Sequence, residues 1–242
     1  MERKHTVSLC MIVKNEENCL EACLESVKSI VDEIIIVDTG STDSTLDIAK
    51  AYHAKIDHFK WNDNFSEARN KSLSLATKDW IMVIDADEVL DFKTQEALIE
   101  ALNDYTYDGY LIKQLNFRGD DQNNPTDVVI IPRIFKNHQN FRYYRALHEQ
   151  VKIMGEECKF KEIEVNFYHT GYLDKVLHEK EKYLRNIMVL EKALEEEPSN
   201  TLTLFYLANT YNRMGQSEKS RELFQLFMEK LEQNSNFKNV MT

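Results

Sequence analysis

Trp80-Ile81-Met82-Val83-Ile84-Asp85-Ala86-Asp87-Glu88 is the stretch whose reading decides the fold. A short apolar run of this kind fits a strand buried on both faces. It ends in three acids, Asp85, Asp87 and Glu88, with only Ala86 and no basic residue among them. Carboxylates this close repel one another, so a folded chain gives them a cation or releases them to water. In an open α/β sheet the carboxyl ends of the strands are where ligands bind. Asp-x-Asp at such an end suggests a divalent ion held by hard oxygens and shared with a phosphate. The alternative is a solvated acidic turn that opens the next helix, whose N-terminus favours Asp and Glu.

Working outward, the same strand–turn–helix unit recurs. Thr6–Val13 reads as a buried strand that ends at the polar turn Lys14–Glu17. Leu20, Cys23, Leu24, Val27 and Ile30 then fall at helical spacing within 18–30. Ile34–Val37 is a second strand, closed by Asp38 and the turn Thr39-Gly40-Ser41-Thr42-Asp43. Ser41, Thr42 or Asp43 can cap a helix over Thr45–Tyr52. A third short strand is expected at Ala54–Phe59. Ser66 then caps a helix through Ala76, with Arg69 in its first turn. A cation is disfavoured there by the helix dipole, so Arg69 points either to an anion nearby or to a surface pair with Glu67 or Asp63. This alternation is the doubly wound pattern. After a helix over Thr94–Leu102, strands follow at Gly109–Phe117, Val128–Lys136, Glu149–Met154 and Ile163–His169. The polar loop Arg118–Asp127 is either a contact beside the site or a plain hairpin loop.

Beyond Gly171 the chain is helical. Leu173–Glu197 stops at Pro198, and Thr201–Met214 and Gln216–Leu231 form an antiparallel pair joined at Gly215. The order Leu207-Ala208, Tyr211, Gly215, Ser220, Phe224, Phe227 resembles a tetratricopeptide repeat, and Val189–Pro198 resembles the closing half of a preceding one. One and a half repeats cannot bury a solenoid, so this part must pack on the first domain, on a partner copy or on further chain. The expected division is 1–172 and 173–242, with a homodimer through the C-terminal helices as one option.

Composition narrows the function. The formal net charge of -11 argues against nucleic-acid binding, which runs on Lys and Arg neutralising phosphates. The four cysteines have no paired metal spacing and read as reduced thiols in a cytoplasmic protein. No signal peptide or membrane-spanning run is expected; a peripheral contact at the inner membrane face stays open. A dinucleotide-binding oxidoreductase would need Gly-x-Gly-x-x-Gly after a strand, and none occurs. A sugar nucleotidyltransferase would want a Gly-rich, basic loop where Lys14-Asn15-Glu16-Glu17 stands.

Four pieces in order carry a family resemblance: 8–17 (Ser-Leu-Cys-Met-Ile-Val-Lys-Asn-Glu-Glu), 36–43 (Ile-Val-Asp-Thr-Gly-Ser-Thr-Asp), 65–70 (Phe-Ser-Glu-Ala-Arg-Asn) and 84–88 (Ile-Asp-Ala-Asp-Glu). Together they make Val7–Tyr172 resemble the family-2 glycosyltransferases, with a GT-A (Rossmann-like) α/β nucleotide-sugar-binding domain followed by a small all-α TPR-like extension. Leu147-His148-Glu149-Gln150 and Tyr168-His169-Thr170-Gly171-Tyr172 are similar to a bacterial subset that includes lipopolysaccharide-core transferases and peptide S-glycosyltransferases. The Gln-x-x-Arg-Trp of processive synthases is absent, against a polysaccharide synthase.

The resemblance implies a UDP-sugar donor, a divalent cofactor (Mn2+ or Mg2+) and a glycan, lipid-linked or peptide acceptor. It assigns Asp38 to the uracil ring N–H, Glu16 to the ribose or base, and backbone near Val13 to the base edge. Arg69 approaches the base or diphosphate, and Arg133 is a further phosphate contact. Asp85 reaches the ribose or metal, Asp87 binds the metal, and His169 completes its shell. The alternative for His169 is a core histidine at a strand end. An inverting transferase also needs a general base. Glu149 is the first candidate and His148 the second, while a salt bridge from Glu149 to Arg142 or Arg145 is the competing role. The remaining alternative is a TPR adaptor whose transferase domain no longer turns over.

Overall fold

A computed structural model describes residues 2–118, 124–137, 140–153, 158–172 and 176–240. The chain divides into two compact units, Met1–Arg145 with Glu149–Leu173, and Ala146–His148 with Asp174–Thr242.

In the first unit, apolar strands alternate with short amphipathic helices as the periodicity requires: β1 (Val7–Val13), α1 (Leu20–Val27), β2 (Glu33–Asp38), α2 (Thr45–Ala51), β3 (Lys55–His58), α3 (Phe65–Ser74) and β4 (Trp80–Val83). β1 pairs in parallel with both β2 and β4, and β2 with β3. The carboxyl ends of these strands therefore share one edge, where the turns after Val13 and Asp38 meet the acids after Ile84. The central strands are covered on both faces, and every residue from Trp80 to Ile84 is buried.

The remaining strands are β5 (Glu88–Leu90), β6 (Gly109–Arg118), β7 (Asp127–Lys136), β8 (Phe141–Tyr144), β9 (Gln150–Ile153) and β10 (Phe160–Tyr172), with α4 (Gln95–Asn103) after β5. They complete a mixed sheet in the order β3-β2-β1-β4-β7-β6-β10-β5, beside a separate β8–β9 hairpin. Register decides what this brings to the site. His169 of β10 stands opposite Glu88 of β5 on one side and Asn116 of β6 on the other. β7 turns antiparallel against β4, with Met82 opposite Ile134, and so delivers Arg133 beside the end of β4.

Several local expectations are corrected. α3 is capped by Asn64, whose side chain accepts from the Glu67 N–H at 3.2 Å, rather than by Ser66. The helix ends at Ser74, and Arg69 lies in its second turn. Ser66 is freed from capping because the residue two places earlier does it. Before α2, Asp43 accepts from the Thr45 N–H at 3.0 Å, while the residue at the cap itself, Ser44, makes no such bond. Two short strands, β5 and β8, escape a periodicity reading because three or four residues give too little pattern. Of the loop 118–127, residues 119–123 lie outside the described residues.

The second unit holds α5 (Val176–Glu196), α6 (Thr201–Arg213) and α7 (Ser217–Val240). Asn200 caps α6 by accepting from the Thr203 N–H at 3.0 Å. Gly215, at φ 74°, makes the left-handed link to α7 that other residues adopt only with strain. Ile187, Leu190, Leu207 and Tyr211 form its core, with Leu147 packed against them. No described helix is long and apolar enough to cross a membrane.

Candidate functional site

Three groups of side chains gather at the carboxyl edge of the parallel strands. The first is a stitched pair of turns after β1 and β2. Asn15 takes the left-handed conformation (φ 56°) and its side chain accepts from the Thr42 N–H at 2.8 Å. The Glu16 N–H donates to Thr45 Oγ1 at 2.7 Å, and Thr39 N–H to the Val13 carbonyl at 2.9 Å. Asp38 is buried; its carboxylate accepts from the N–H groups of Gly40 and Ser41 at 3.1 and 3.0 Å, with His58 Nδ1 3.4 Å away. The Glu16 carboxylate accepts from Cys19 Sγ at 3.1 Å. Val13, Glu16 and Asp38 are thus brought into one cradle.

The second group is an ionic network at the end of β4. Arg69 donates from Nη2 to Asp85 Oδ1 at 2.8 Å and from Nε to Glu149 Oε1 at 2.5 Å. Arg133 donates from Nη2 to Asp85 Oδ2 at 2.8 Å and to Glu88 Oε1 at 2.6 Å. Both oxygens of Asp85 therefore face an arginine. Burial alone would raise its pKa, but Arg69 and Arg133 outweigh it and hold the carboxyl far below the usual range. Glu88 behaves oppositely. It is fully buried, receives the Asp85 N–H at 2.8 Å and bonds Gln114, and burial with the neighbouring Asp85 pushes its pKa up against the pull of Arg133. Tyr143 stands beside Arg69, whose guanidinium lies 5.5 Å from its ring centre; burial raises the phenol to about 12. Among the described residues, Arg69 Nη1, Arg133 Nε and the Tyr143 hydroxyl are buried without a hydrogen-bond partner. Buried donors without acceptors are costly, and an anionic ligand would supply what they lack.

The third group is a pair. His169 Nδ1 lies 2.6 Å from Asn116 Oδ1, and Nε2 lies 3.2 Å from Asp87 Oδ2. Asn116 accepts the Nδ1 proton and so directs Nε2 at the carboxylate. Burial works against protonation of His169, but the hydrogen bond and charge of Asp87, helped by Glu88 and Asp85, win and raise its pKa. No cluster of three or more His, Cys, Asp or Glu suited to a metal occurs among the described residues. A cation held here would take one carboxylate oxygen from Asp87, one imidazole nitrogen from His169 and its other ligands from phosphate and water.

Of the expected site residues, Arg69, Asp85, Arg133 and Glu149 meet in one network and Asp87 meets His169. Glu149 pairs with Arg69, not with Arg142 or Arg145. His148 belongs to the second unit, where it stacks on Tyr206 with ring centres 4.0 Å apart. Asn116 and Tyr143 escape the sequence reading, which names Glu88 only as one of three clustered acids and gives it no separate role. For Asn116 a signal existed: it is an amide set between apolar Leu115 and Phe117, and it is buried.

Comparison with known proteins identifies the family. The model of glycosyl transferase family 2 matches residues 8–154, and a tetratricopeptide repeat model matches 189–222. A TPR repeat-containing protein of Synechococcus elongatus is 41% identical over 145 residues, 60% of this chain and 35% of that protein. The SPbeta prophage-derived glycosyltransferase SunS of Bacillus subtilis is 29% identical over 234 residues, 89% of this chain and 51% of SunS. The chain thus spans between about a third and a half of these relatives' lengths. Among solved structures, S. aureus TarS 1-349 in complex with UDP-GlcNAc superposes with a TM-score of 0.53 at 16% identity, covering 85% of this chain and 72% of TarS 1-349. That likeness concerns the fold.

Proposed function

Because the chain belongs to glycosyl transferase family 2, with GT-A-like architecture and a tetratricopeptide repeat behind it, we propose that it is an inverting, metal-dependent glycosyltransferase using a UDP-sugar. The observation that carries this reading is the network of Arg69, Arg133, Asp85 and Glu149 beside the Asp87–His169 pair. The cradle of Val13, Glu16 and Asp38 receives the uridine. Arg69 and Arg133 are the contacts to the diphosphate. Asp87 and His169 hold Mn2+ or Mg2+, which when bound neutralises charge on the leaving diphosphate. Asp85, with both oxygens on arginines, orients those arginines and faces the ribose.

Glu149 is the general base. It takes the proton from the acceptor hydroxyl or thiol as that atom attacks the anomeric carbon. The bond from that carbon to the phosphate oxygen breaks, and its electron pair leaves with UDP. The acceptor is a glycan, a lipid-linked glycan or a peptide. The adaptor reading is disfavoured because it gives no reason for a half-buried carboxylate to be shared by two buried arginines.

UDP release from UDP-GlcNAc in the presence of Mn2+ tests the proposal. The wild type should release UDP, slowly with water as acceptor, and Asp87→Ala and Glu149→Gln should each reduce the rate about a hundredfold or more. A wild type that binds UDP yet shows no release with any UDP-sugar would favour the adaptor.

A further inference from the structure

Among the described residues three side chains of α3 make hydrogen bonds to the β8–β9 hairpin and its connection; one is Arg69, and the other two have no part in the chemistry above. Ser66, Arg69 and Asn70 are spaced i, i+3 and i+4 and so share one helix face. Asn70 meets the backbone of Tyr143 twice: its Nδ2 donates to the carbonyl at 2.9 Å, and its Oδ1 accepts from the N–H at 2.8 Å. The carboxamide does for this edge of β8 what a neighbouring strand would do. Ser66 Oγ donates to the carbonyl of Arg145 at 2.5 Å, two residues on. Ser66 is buried. Between these two anchors Arg69 extends to Glu149, next to Gln150, which pairs with Tyr144 across the hairpin.

The connection from β8 to β9 needs such anchoring. Arg145 (φ 78°) and His148 (φ 51°) both lie in the left-handed region without being glycine. Such conformations persist only where surrounding contacts over-determine them. The bond from Ser66 is one such contact and the Asn70 pair fixes the residue two places earlier.

We propose that Ser66 and Asn70 are positioning residues: they clamp the β8–β9 hairpin to α3 and so set Glu149 at the distance from Arg69 and Asp85 that transfer requires. The proposal rests on Glu149 acting as the base. It accounts for why Phe65-Ser66-Glu67-Ala68-Arg69-Asn70 stands as one piece: Asn64 and Glu67 start the helix, Arg69 bridges donor site and base, and Ser66 and Asn70 hold the strand that carries the base. Neither positioning residue touches the reacting atoms.

The test is a double-mutant cycle on UDP release from UDP-GlcNAc with Mn2+, water being the acceptor. Asn70→Ala in the wild-type background should lower kcat about tenfold to a hundredfold, the range expected when a reacting group is misplaced by about an ångström. UDP affinity should stay within about twofold, because the donor contacts are elsewhere. In the Glu149→Gln background Asn70→Ala should change nothing further. Ser66→Ala, which removes one hydrogen bond and no backbone pair, should give the same pattern with a smaller drop and serves if Asn70→Ala fails to fold. Wild-type rates in both variants, alongside an inactive Glu149→Gln, would overturn the clamp. So would an equal drop in both backgrounds, the mark of an effect independent of Glu149. Near-normal activity of Glu149→Gln itself would instead remove the base assignment on which the clamp rests.

Discussion

Replacing Arg133 with methionine keeps its approximate volume and removes one buried charge from a network of five. Arg133 is buried, and the Glu88 carboxylate it bonds at 2.6 Å has no exposure at all. Without the guanidinium, Glu88 keeps only the Asp85 N–H and Gln114, both neutral donors. Asp85 is less affected because Arg69 remains 2.8 Å away. Breaking a buried pair from one side costs about 3–5 kcal/mol. Against a typical stability of about 5–15 kcal/mol that is at least about a fifth. At about 2–4 °C per kcal/mol for a protein this size, the melting point should fall about 6–20 °C.

The sign of the pH dependence follows. Glu88 already has its pKa raised, by burial and then by Asp85, and loss of Arg133 moves it further up. A folded state that binds the extra proton is favoured at low pH, so Arg133→Met should be less impaired at pH 5.5 than at pH 8. Adding Glu88→Gln removes the stranded charge and should recover more than half the loss. Urea denaturation of the single and double variants at both pH values measures all of this. A single variant within about 1 kcal/mol of wild type, or a double variant no better than the single, would refute the reasoning.

Two further expectations concern the frame that carries the site. A Cβ at Gly109 would lie 2.7 Å from the Ile134 carbonyl oxygen, which the β6–β7 ladder fixes, so Gly109→Ala should destabilise by about 1–3 kcal/mol in thermal unfolding; a variant as stable as wild type would mean the strands can part there. Glu33 sits near the amino end of β2. Burial works to raise its pKa, but bonds from Ser8 Oγ at 2.6 Å and from the Thr77 N–H at 2.9 Å hold it below its usual value of 4.5. Its contribution is therefore complete above that value and lost as pH falls through the lowered one. The stability gap between wild type and Glu33→Gln should be full at pH 7 and shrink below pH 4; a gap that is constant with pH would contradict this.

The parallel half of the fold was legible because its strands are apolar runs closed by acids or polar turns. Asp38 after Val37 and Asp85 after Ile84 mark the carboxyl edge directly. The later strands gave their presence but not their order. Nothing in the local pattern of 160–172 tells that it lies between β6 and β5, and that placement alone sets His169 beside Asn116 and Glu88. The acids of 85–88 were read as one cluster, whereas packing separates them into three environments: Asp85 on two arginines, Asp87 against His169, and Glu88 buried beneath. Burial depth depends on what packs above, and four neighbouring letters do not contain it. Ser66 looked like a cap because it precedes a helical run, but Asn64 does that work and Ser66 bonds a carbonyl 79 residues away.

Calorimetric titration of UDP into the wild-type protein, first with Mn2+ and then with EDTA, tests the central claim most directly. Binding with Mn2+ that is lost or greatly weakened in EDTA is the predicted result, since Asp87 and His169 should hold the diphosphate only through the cation. UDP affinity that is unchanged by chelation would contradict the metal site, and no binding in either condition would contradict the donor site itself.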